Sequence, residues 1–179
     1  MEDDDRFYER YVEPFETRML RAVRRVVRDP ELARDAVQDA VVRLWQHRDR
    51  VRRHPNPEAL VLRVGLHSAI DAVRRGLRRR ETGDAALEAR PAPAGGGPGE
   101  SVERREQHEA VVGALARLPR QQALAVLMHV VEEQPYAAVA RALGCAEITA
   151  RVHVMRGRAR LRRVLAPLAP ERARIGVDR

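Results

Sequence analysis

Lysine is absent from this chain of 179 residues, so all 34 basic side chains are arginines. Against 26 acidic residues they give a formal net charge of +8, which favours binding to a polyanion such as nucleic acid. Heavy use of alanine, valine, proline and glycine accompanies the missing lysine, and this bias is typical of a GC-rich genome. The positions of the arginines are therefore more informative than their number.

Cysteine and aromatic residues are also scarce. The single Cys145 cannot form an intramolecular disulfide, and no pair of cysteine and histidine has zinc-finger spacing, so the sequence predicts a reducing compartment and no structural metal. The six histidines are scattered, and most are predicted to fill ordinary surface or core positions. Only 3% of the residues are aromatic, so the core must consist mainly of leucine, valine and alanine.

Long apolar segments and catalytic motifs are missing as well. The amino terminus, "MEDDDRF", is acidic, unlike a signal peptide, and no apolar run approaches the roughly 18 residues of a membrane span. There is no phosphate-binding glycine motif, HExxH or GxSxG. We therefore expect a cytoplasmic protein without membrane insertion that is not an enzyme and has no cofactor.

The chain divides at "ETGDAALEARPAPAGGGPGE", residues 81–100, where proline and glycine cluster. This composition predicts a flexible linker. Neither flank shows the alternation of a β-strand, whereas both carry apolar residues at helical spacing. The sequence thus predicts an all-α protein with two small helical domains, residues 5–80 and 101–168.

The first domain shows clear helix starts and apolar faces. Apolar residues recur at every fourth position from Phe7 to Val23, as on one amphipathic helix. Two further helices are predicted to start where a capping residue precedes a proline, at Asp29–Pro30 and at Asn56–Pro57. The later helix is apolar around most of its circumference from Ala59 to Ile70, and five arginines follow within residues 73–80.

The second domain ends in a predicted helix-turn-helix. A short helix opened by Pro135 stops at Gly144, and a second helix follows. Apolar residues of the second helix share a face that we expect to pack inward: Ile148, Val152, Met155 and Ala159. Polar residues form a parallel face that we expect to point outward: Thr149, His153, Arg156, Arg160 and Arg163, with Arg151, Arg158 and Arg162 beside it. Residues 147–163 hold six arginines and one glutamate, a charge of +5.

This second helix suits the major groove of DNA. Short polar or forked side chains in the first turns read base edges, and cations further along hold phosphates. The expected readers are Glu147, Thr149, Arg151 and His153, and the expected anchors run from Arg156 to Arg163. Taken alone, the stretch also fits a solvent-exposed amphipathic helix with GC-biased arginines.

Several long motifs resemble those of one protein family. "LPRQQALAVLMHVVEEQPYAAVARALGCAEITARVHVMRGRARLRRVL" resembles region 4 of the extracytoplasmic-function sigma factors, small two-domain initiation factors of bacterial transcription. "DPELARDAVQDAVVRLW" is similar to region 2.2 of that family, and "ALVLRVGLHSAIDAVRRGLRRR" to regions 2.3 and 2.4. The order and spacing of the motifs also agree, and the resemblance covers about residues 5–166.

The resemblance implies that region 2.2 binds the coiled coil of the beta-prime subunit of core RNA polymerase, while the second domain meets the beta flap. The matching polymerase-binding residues are Asp35, Gln38, Asp39, Arg43 and Trp45. The residues themselves also allow Asp35 and Asp39 to be ordinary solvated positions, and for Trp45 a core position is favoured. The family's usual anti-sigma factor is a further expected partner.

The resemblance also implies two contacts with promoter DNA and no chemistry by the protein. The loop "HRDRVRRHPN" and the helix after it would capture the −10 element, through Arg50, Arg52, Arg53, Asn56, Arg63, His67, Asp71, Arg74, Arg75 and Arg78. The second helix of the helix-turn-helix would bind the −35 element, through Glu147, Thr149, Arg151, His153, Arg156, Arg158 and Arg160.

Some positions depart from the family pattern, so no promoter consensus is transferred. Leucines replace aromatic residues at Leu60 and Leu62, and the recognition helix has Val152 and His153 in place of serine and arginine. Two other functions fit the sequence less well. A stand-alone helix-turn-helix regulator does not need the region 2.2 helix and usually has a dimerisation segment. An adaptor made of helical bundles does not explain two localised clusters of +5 charge.

Overall fold

The computed structural model describes residues 2–82 and 101–168. All regular secondary structure in these two ranges is helical, which confirms the predicted all-α fold. None of the helices described there is long and apolar enough to cross a membrane. The predicted linker lies outside the described residues except for Glu81 and Thr82, which end the last helix of the first range.

Five helices form the first range, and proline and capping residues set their starts. They are α1 (Glu2–Tyr11), α2 (Glu13–Val26), α3 (Pro30–Gln46), α4 (Arg48–Arg52) and α5 (Pro57–Glu81). The Asp29 carboxylate accepts hydrogen bonds from the first amides of α3, and the Asn56 side chain accepts one from Ala59 N at 3.0 Å. Both predicted N-caps are therefore confirmed.

Two segments differ from the sequence prediction. The single helix predicted from Phe7 to Val23 is two helices that meet at Val12, because Pro14 lacks an amide hydrogen and its ring excludes the preceding turn of an unbroken helix. Phe7, Met19 and Val23 are nevertheless buried as predicted. The predicted loop of residues 47–56 contains the short helix α4, which inserts the fully buried Val51 into the core.

Four helices form the second range. They are α6 (Val102–Arg117), α7 (Arg120–Val126), α8 (Tyr136–Leu143) and α9 (Glu147–Leu165), with a π-helical turn at Leu127–Val131 and a 3₁₀ turn at Ala166–Leu168. Gly144 ends α8 in the left-handed conformation, at φ 68°, which other residues adopt only with strain. The α8–turn–α9 unit is the predicted helix-turn-helix.

The two ranges are in contact through α5 and α2. Arg74 donates hydrogen bonds of 2.8 Å to the carbonyl oxygens of Ala116 and Leu118, so it caps the carboxyl end of α6. Arg25 Nη1 lies 2.8 Å from Glu132 Oε1, whose side chain is only 6% exposed. These contacts hold the second range of helices against the first helical bundle.

We predict that Arg25→Met lowers the free energy of unfolding by about 1 to 3 kcal/mol, because the buried Glu132 carboxylate then lacks its partner. Adding Glu132→Gln to this variant replaces the unpaired buried carboxylate with a neutral amide, so most of the lost free energy of unfolding should be recovered. Urea unfolding followed by circular dichroism of the two variants and the wild type measures both effects. An equal loss in the single and the double variant would contradict this account.

Candidate polymerase and nucleic-acid interfaces

The predicted polymerase-binding residues lie on the exposed face of α3. Asp35, Gln38 and Asp39 are exposed, while the opposite face of the helix is buried against the core. Asp39 Oδ2 lies 3.5 Å from Arg75 Nη2 at the cationic end of α5. Trp45 is half-buried and meets the Phe7 ring edge-on, at 5.6 Å between centroids, so its part in this structure is packing.

A cavity of about 450 Å³ lies between α3, α4, α5 and α7. Each of these four helices contributes one arginine to its lining, and a single carboxylate opposes them. The charged and imidazole groups that line it are Arg43, Arg50, Arg63, Arg120, Asp71, His47 and His67. Such a concave site with convergent cations is suited to an anionic ligand.

Asp71 organises the polar side of this cavity. Its carboxylate lies 3.4 Å from Arg43 Nη1, 3.3 Å from Arg120 Nη2 and 3.5 Å from His67 Nε2. Arg43 Nη1 is also 3.2 Å from His67 Nδ1. Because a guanidinium can only donate, Nδ1 must accept, which places the proton of a neutral imidazole on Nε2, an atom that is buried without a hydrogen-bond partner.

Burial and charge shift two pKa values in the cavity. Burial lowers the pKa of His67, the arginines at 120, 43 and 63 lower it further, and Asp71 opposes them. Burial also lowers the pKa of Arg63, and the charge of Arg50 adds to this shift. Arg63 Nε is buried without a hydrogen-bond partner. The cavity therefore holds more positive charge and more donor capacity than the protein itself neutralises.

Most of the other predicted −10 residues are held by protein groups. Arg52 lies over the Phe7 ring at 5.8 Å, Arg53 Nε donates to Asp49 O, and the Asn56 side chain caps α5. Arg74 caps α6, as described above, Arg75 lies 3.5 Å from Asp39 Oδ2, and Arg78 is exposed. The structure thus brings Arg50, Arg63, His67 and Asp71 together and adds Arg43, which the family resemblance assigns to polymerase binding.

Sequence reasoning missed two cavity residues. Arg120 belongs to α7, and its contact with Asp71 spans 49 positions of the chain, so no local pattern indicates it. His47 lies at the junction of α3 and α4, inside the segment predicted as a loop. The signal available for His47 was its position in the cationic "HRDRVRRHPN" segment; for Arg120 there was none.

The inward face predicted for α9 is wrong. Ile148 is 68% exposed and Met155 is 62% exposed, whereas Ala150, Val154 and Gly157 form the buried face. The cause is the close approach of α9 to α7. A Cβ on Gly157 would lie 2.6 Å from Val126 Cγ2 and 3.2 Å from Gln122 O, so only small side chains fit at this contact.

The orientation of α9 also changes which polar residues are exposed. Thr149 and His153, predicted to face outward, are half-buried, and His153 Nδ1 is buried without a partner. Arg151 is exposed and held in place, with its guanidinium 4.5 Å from the centre of the Tyr136 ring and Nη2 2.6 Å from Glu147 Oε1. The predicted anchors are all exposed: Arg156, Arg158, Arg160, Arg162 and Arg163.

The comparisons with known proteins agree with this arrangement. Residues 11–80 match the family model "Sigma-70 region 2", and residues 108–161 match "Sigma-70, region 4". The structure is similar to that of the sigma factor RpoE from Bartonella quintana, solved with the anti-sigma factor NepR, at 20% identity and a TM-score of 0.52, over 96% of this chain and 98% of that one. Among curated proteins, no match was found.

The fold and the two matched regions define an initiation factor of bacterial transcription. The chain belongs to the sigma-70 family and, within it, to the extracytoplasmic-function sigma factors. It directs transcription initiation as a DNA-binding protein, and its family consists of non-enzymatic factors. The stand-alone regulator loses its support because residues 11–80 match region 2.

We predict that Gly157→Ala lowers the free energy of unfolding by about 1 to 3 kcal/mol, because the added methyl group pushes α9 away from the Gln122 carbonyl. Gly113→Ala is the matched control, since a Cβ there meets only Arg117 Nη1 at 3.7 Å. It should leave stability unchanged or raise it through helix propensity. Equal stability of the two variants in urea unfolding would show that α9 is not in close contact with α7.

We also predict that His67 makes the protein less stable in acid. Its folded pKa is lowered, so the unfolded chain takes up the proton more readily, and stability falls as the pH drops below the unfolded value of about 6.5. His67→Gln should flatten the dependence of unfolding free energy on pH between about 7.5 and 5. His47→Gln, in the same cavity lining, is the control. An unchanged slope in the His67 variant would refute the assignment.

Proposed function

We propose that separate surfaces of the chain bind polymerase and the two promoter elements during transcription initiation. The exposed acidic face of α3 binds the beta-prime coiled coil of core polymerase, and the second domain meets the beta flap. The cavity and the outer face of α5 hold one strand of the −10 element, and α9 binds the −35 element as a duplex. The division follows the predicted domains, residues 5–80 and 101–168.

The cationic cavity is the observation that carries this proposal. Single-stranded DNA binds where a positive groove follows the backbone and a base can stack or enter a pocket. Arginines from α3, α4, α5 and α7 converge on the cavity, and the buried Arg63 Nε still lacks an acceptor. Its apolar wall, formed by Leu44, Val51, Leu60 and Val64, offers a surface for a base.

Within the cavity, Asp71 supplies the kind of negative charge that a DNA phosphate would bring. Its carboxylate neutralises Arg43 and Arg120 at 3.4 and 3.3 Å. A DNA phosphate that enters the cavity would compete with Asp71 for these two guanidiniums. Arg120 belongs to the second domain, so this competition would connect strand capture to the contact between the domains.

Arg74 imposes a similar condition on α5. Its guanidinium is engaged by the Ala116 and Leu118 carbonyls, so it meets DNA only after leaving the end of α6. Binding of the −10 strand along all of α5 would therefore loosen the packing of the two domains. The neighbouring Arg78 is exposed and needs no such change, whereas Arg75 is exposed but lies 3.5 Å from Asp39 Oδ2.

A regulatory protein partner is a further part of the proposal. The similar RpoE structure was solved with the anti-sigma factor NepR, and we propose that this chain is bound by an anti-sigma factor as well. An inhibitor that covers the exposed faces of α3 or α9 would block the proposed contacts with polymerase or DNA.

The first test is binding to sigma-free core RNA polymerase. We expect Asp35→Arg plus Asp39→Arg to weaken binding at least about tenfold, because two carboxylates on the proposed interface become cations. Glu9→Arg plus Glu106→Arg makes the same change of charge at exposed residues away from α3, and this control should bind like wild type. Fluorescence titration with labelled core polymerase measures the affinities.

The outcomes separate three cases. Loss of binding in the α3 variant alone supports the proposed interface. Equal loss in both variants would show a dependence on overall charge and not on this face. Wild-type affinity in the α3 variant would overturn the proposal that α3 binds polymerase.

A further inference from the structure

The apolar stripe of α9 consists of Ile148, Val152, Met155 and Ala159. These residues were expected to pack inward, yet the helix buries its opposite face, and the two largest side chains of the stripe are more than 60% exposed. A helix of a globular protein normally turns polar residues to the solvent. An exposed apolar stripe of this kind marks a surface that a partner covers.

Arginines border the stripe on both sides. With 3.6 residues per turn, Arg151, Arg158 and Arg162 lie about 70° to one side of it, and Arg156, Arg160 and Arg163 lie about 80° to the other. All six arginines are exposed. The partner must therefore present two rows of negative charge with a less polar strip between them.

The major groove of duplex DNA has this form. Phosphates line its two edges, and the base edges form its floor. A protein partner would need two separate acidic rows around an apolar ridge to match the same surface. The helix-turn-helix supports DNA too, because α8 and α9 meet in the arrangement that places the second helix in the groove.

The floor of the major groove has one apolar group, the C5-methyl group of thymine. We propose that Ile148 and Met155 read thymine methyl groups in the −35 duplex, an inference that rests on the proposed function of α9. The two residues are seven positions apart, about 10 Å along the helix axis, or up to roughly three base-pair steps. They would therefore contact different thymines.

With this assignment, two residues that are predicted to read base edges do not determine sequence selectivity. Thr149 and His153 are half-buried at the edge of α9 and are not directed from its centre into the groove. Arg151 remains a polar reader beside the stripe, held by Glu147 and Tyr136. The two apolar residues become specificity-determining residues of this chain.

The test removes the methyl group from the DNA and leaves the protein intact. Duplexes that the full-length wild-type chain selects from a random library are resynthesised with deoxyuridine in place of each thymidine in turn. We expect affinity to fall about fourfold at one or more positions, the equivalent of one methyl group losing its apolar contact. Fluorescence anisotropy with labelled duplexes measures it.

Variants of the stripe then identify the side chains responsible. Met155→Gln and Ile148→Ser should each bind the thymine and uracil duplexes equally at one of the sensitive positions. Val164→Ser is the matched control, because Val164 is 58% exposed on the same helix but lies off the stripe. It should retain the full discrimination of the wild type.

Each of the other outcomes overturns a specific part of the proposal. If no duplex is enriched, the proposed −35 contact fails and the inference fails with it. If duplexes are enriched but uracil is tolerated everywhere, or the stripe variants still discriminate, the inference fails while the function of α9 stands. If wild type binds anionic phosphatidylglycerol vesicles, and the stripe variants lose this binding but keep their duplex discrimination, the stripe binds lipid and not thymine.

Discussion

The burial of the first half of α5 is the constraint on which the other helices depend. From Ala59 to Ile70 nearly every residue is removed from water, because α2 and α3 cover one side and helices of the second range cover the rest. A helix covered on all sides contributes little to binding there, so its functional groups concentrate where coverage ends. Arg63 and His67, the half-buried positions within this stretch, reach the cavity, and Asp71, Arg74, Arg75 and Arg78 follow where the coverage ends.

Asp71 has a comparable role among the charged groups. Four arginines meet in the cavity, and without an internal anion their mutual repulsion would oppose the packing of α3, α5 and α7. One carboxylate with three partners relieves part of that repulsion and leaves a net positive site. The same residue thus permits the fold and leaves positive charge available for a ligand.

Local features of the chain could be predicted from the sequence, because neighbouring residues determine them. The caps at Asp29 and Asn56 and the turn at Gly144 depend on a few adjacent positions. The orientation of α9 could not be predicted, because it depends on how closely a distant helix approaches. Hydrophobicity favoured Ile148 and Met155 as core residues, whereas the contact at Gln122 and Val126 admits only glycine and other small residues. The position of Arg120 in the cavity could not be predicted from the sequence either, because it depends on tertiary packing.

The hydrogen bonds from Arg74 have a consequence for the motions of the chain. The last carbonyl groups of a helix normally bond to water or to groups of the same chain segment. The end of such a helix can therefore fray independently of the rest of the protein. In α6 the partner of Ala116 and Leu118 belongs to the other helical bundle. Fraying of this helix end is therefore coupled to the loss of one contact between the two bundles.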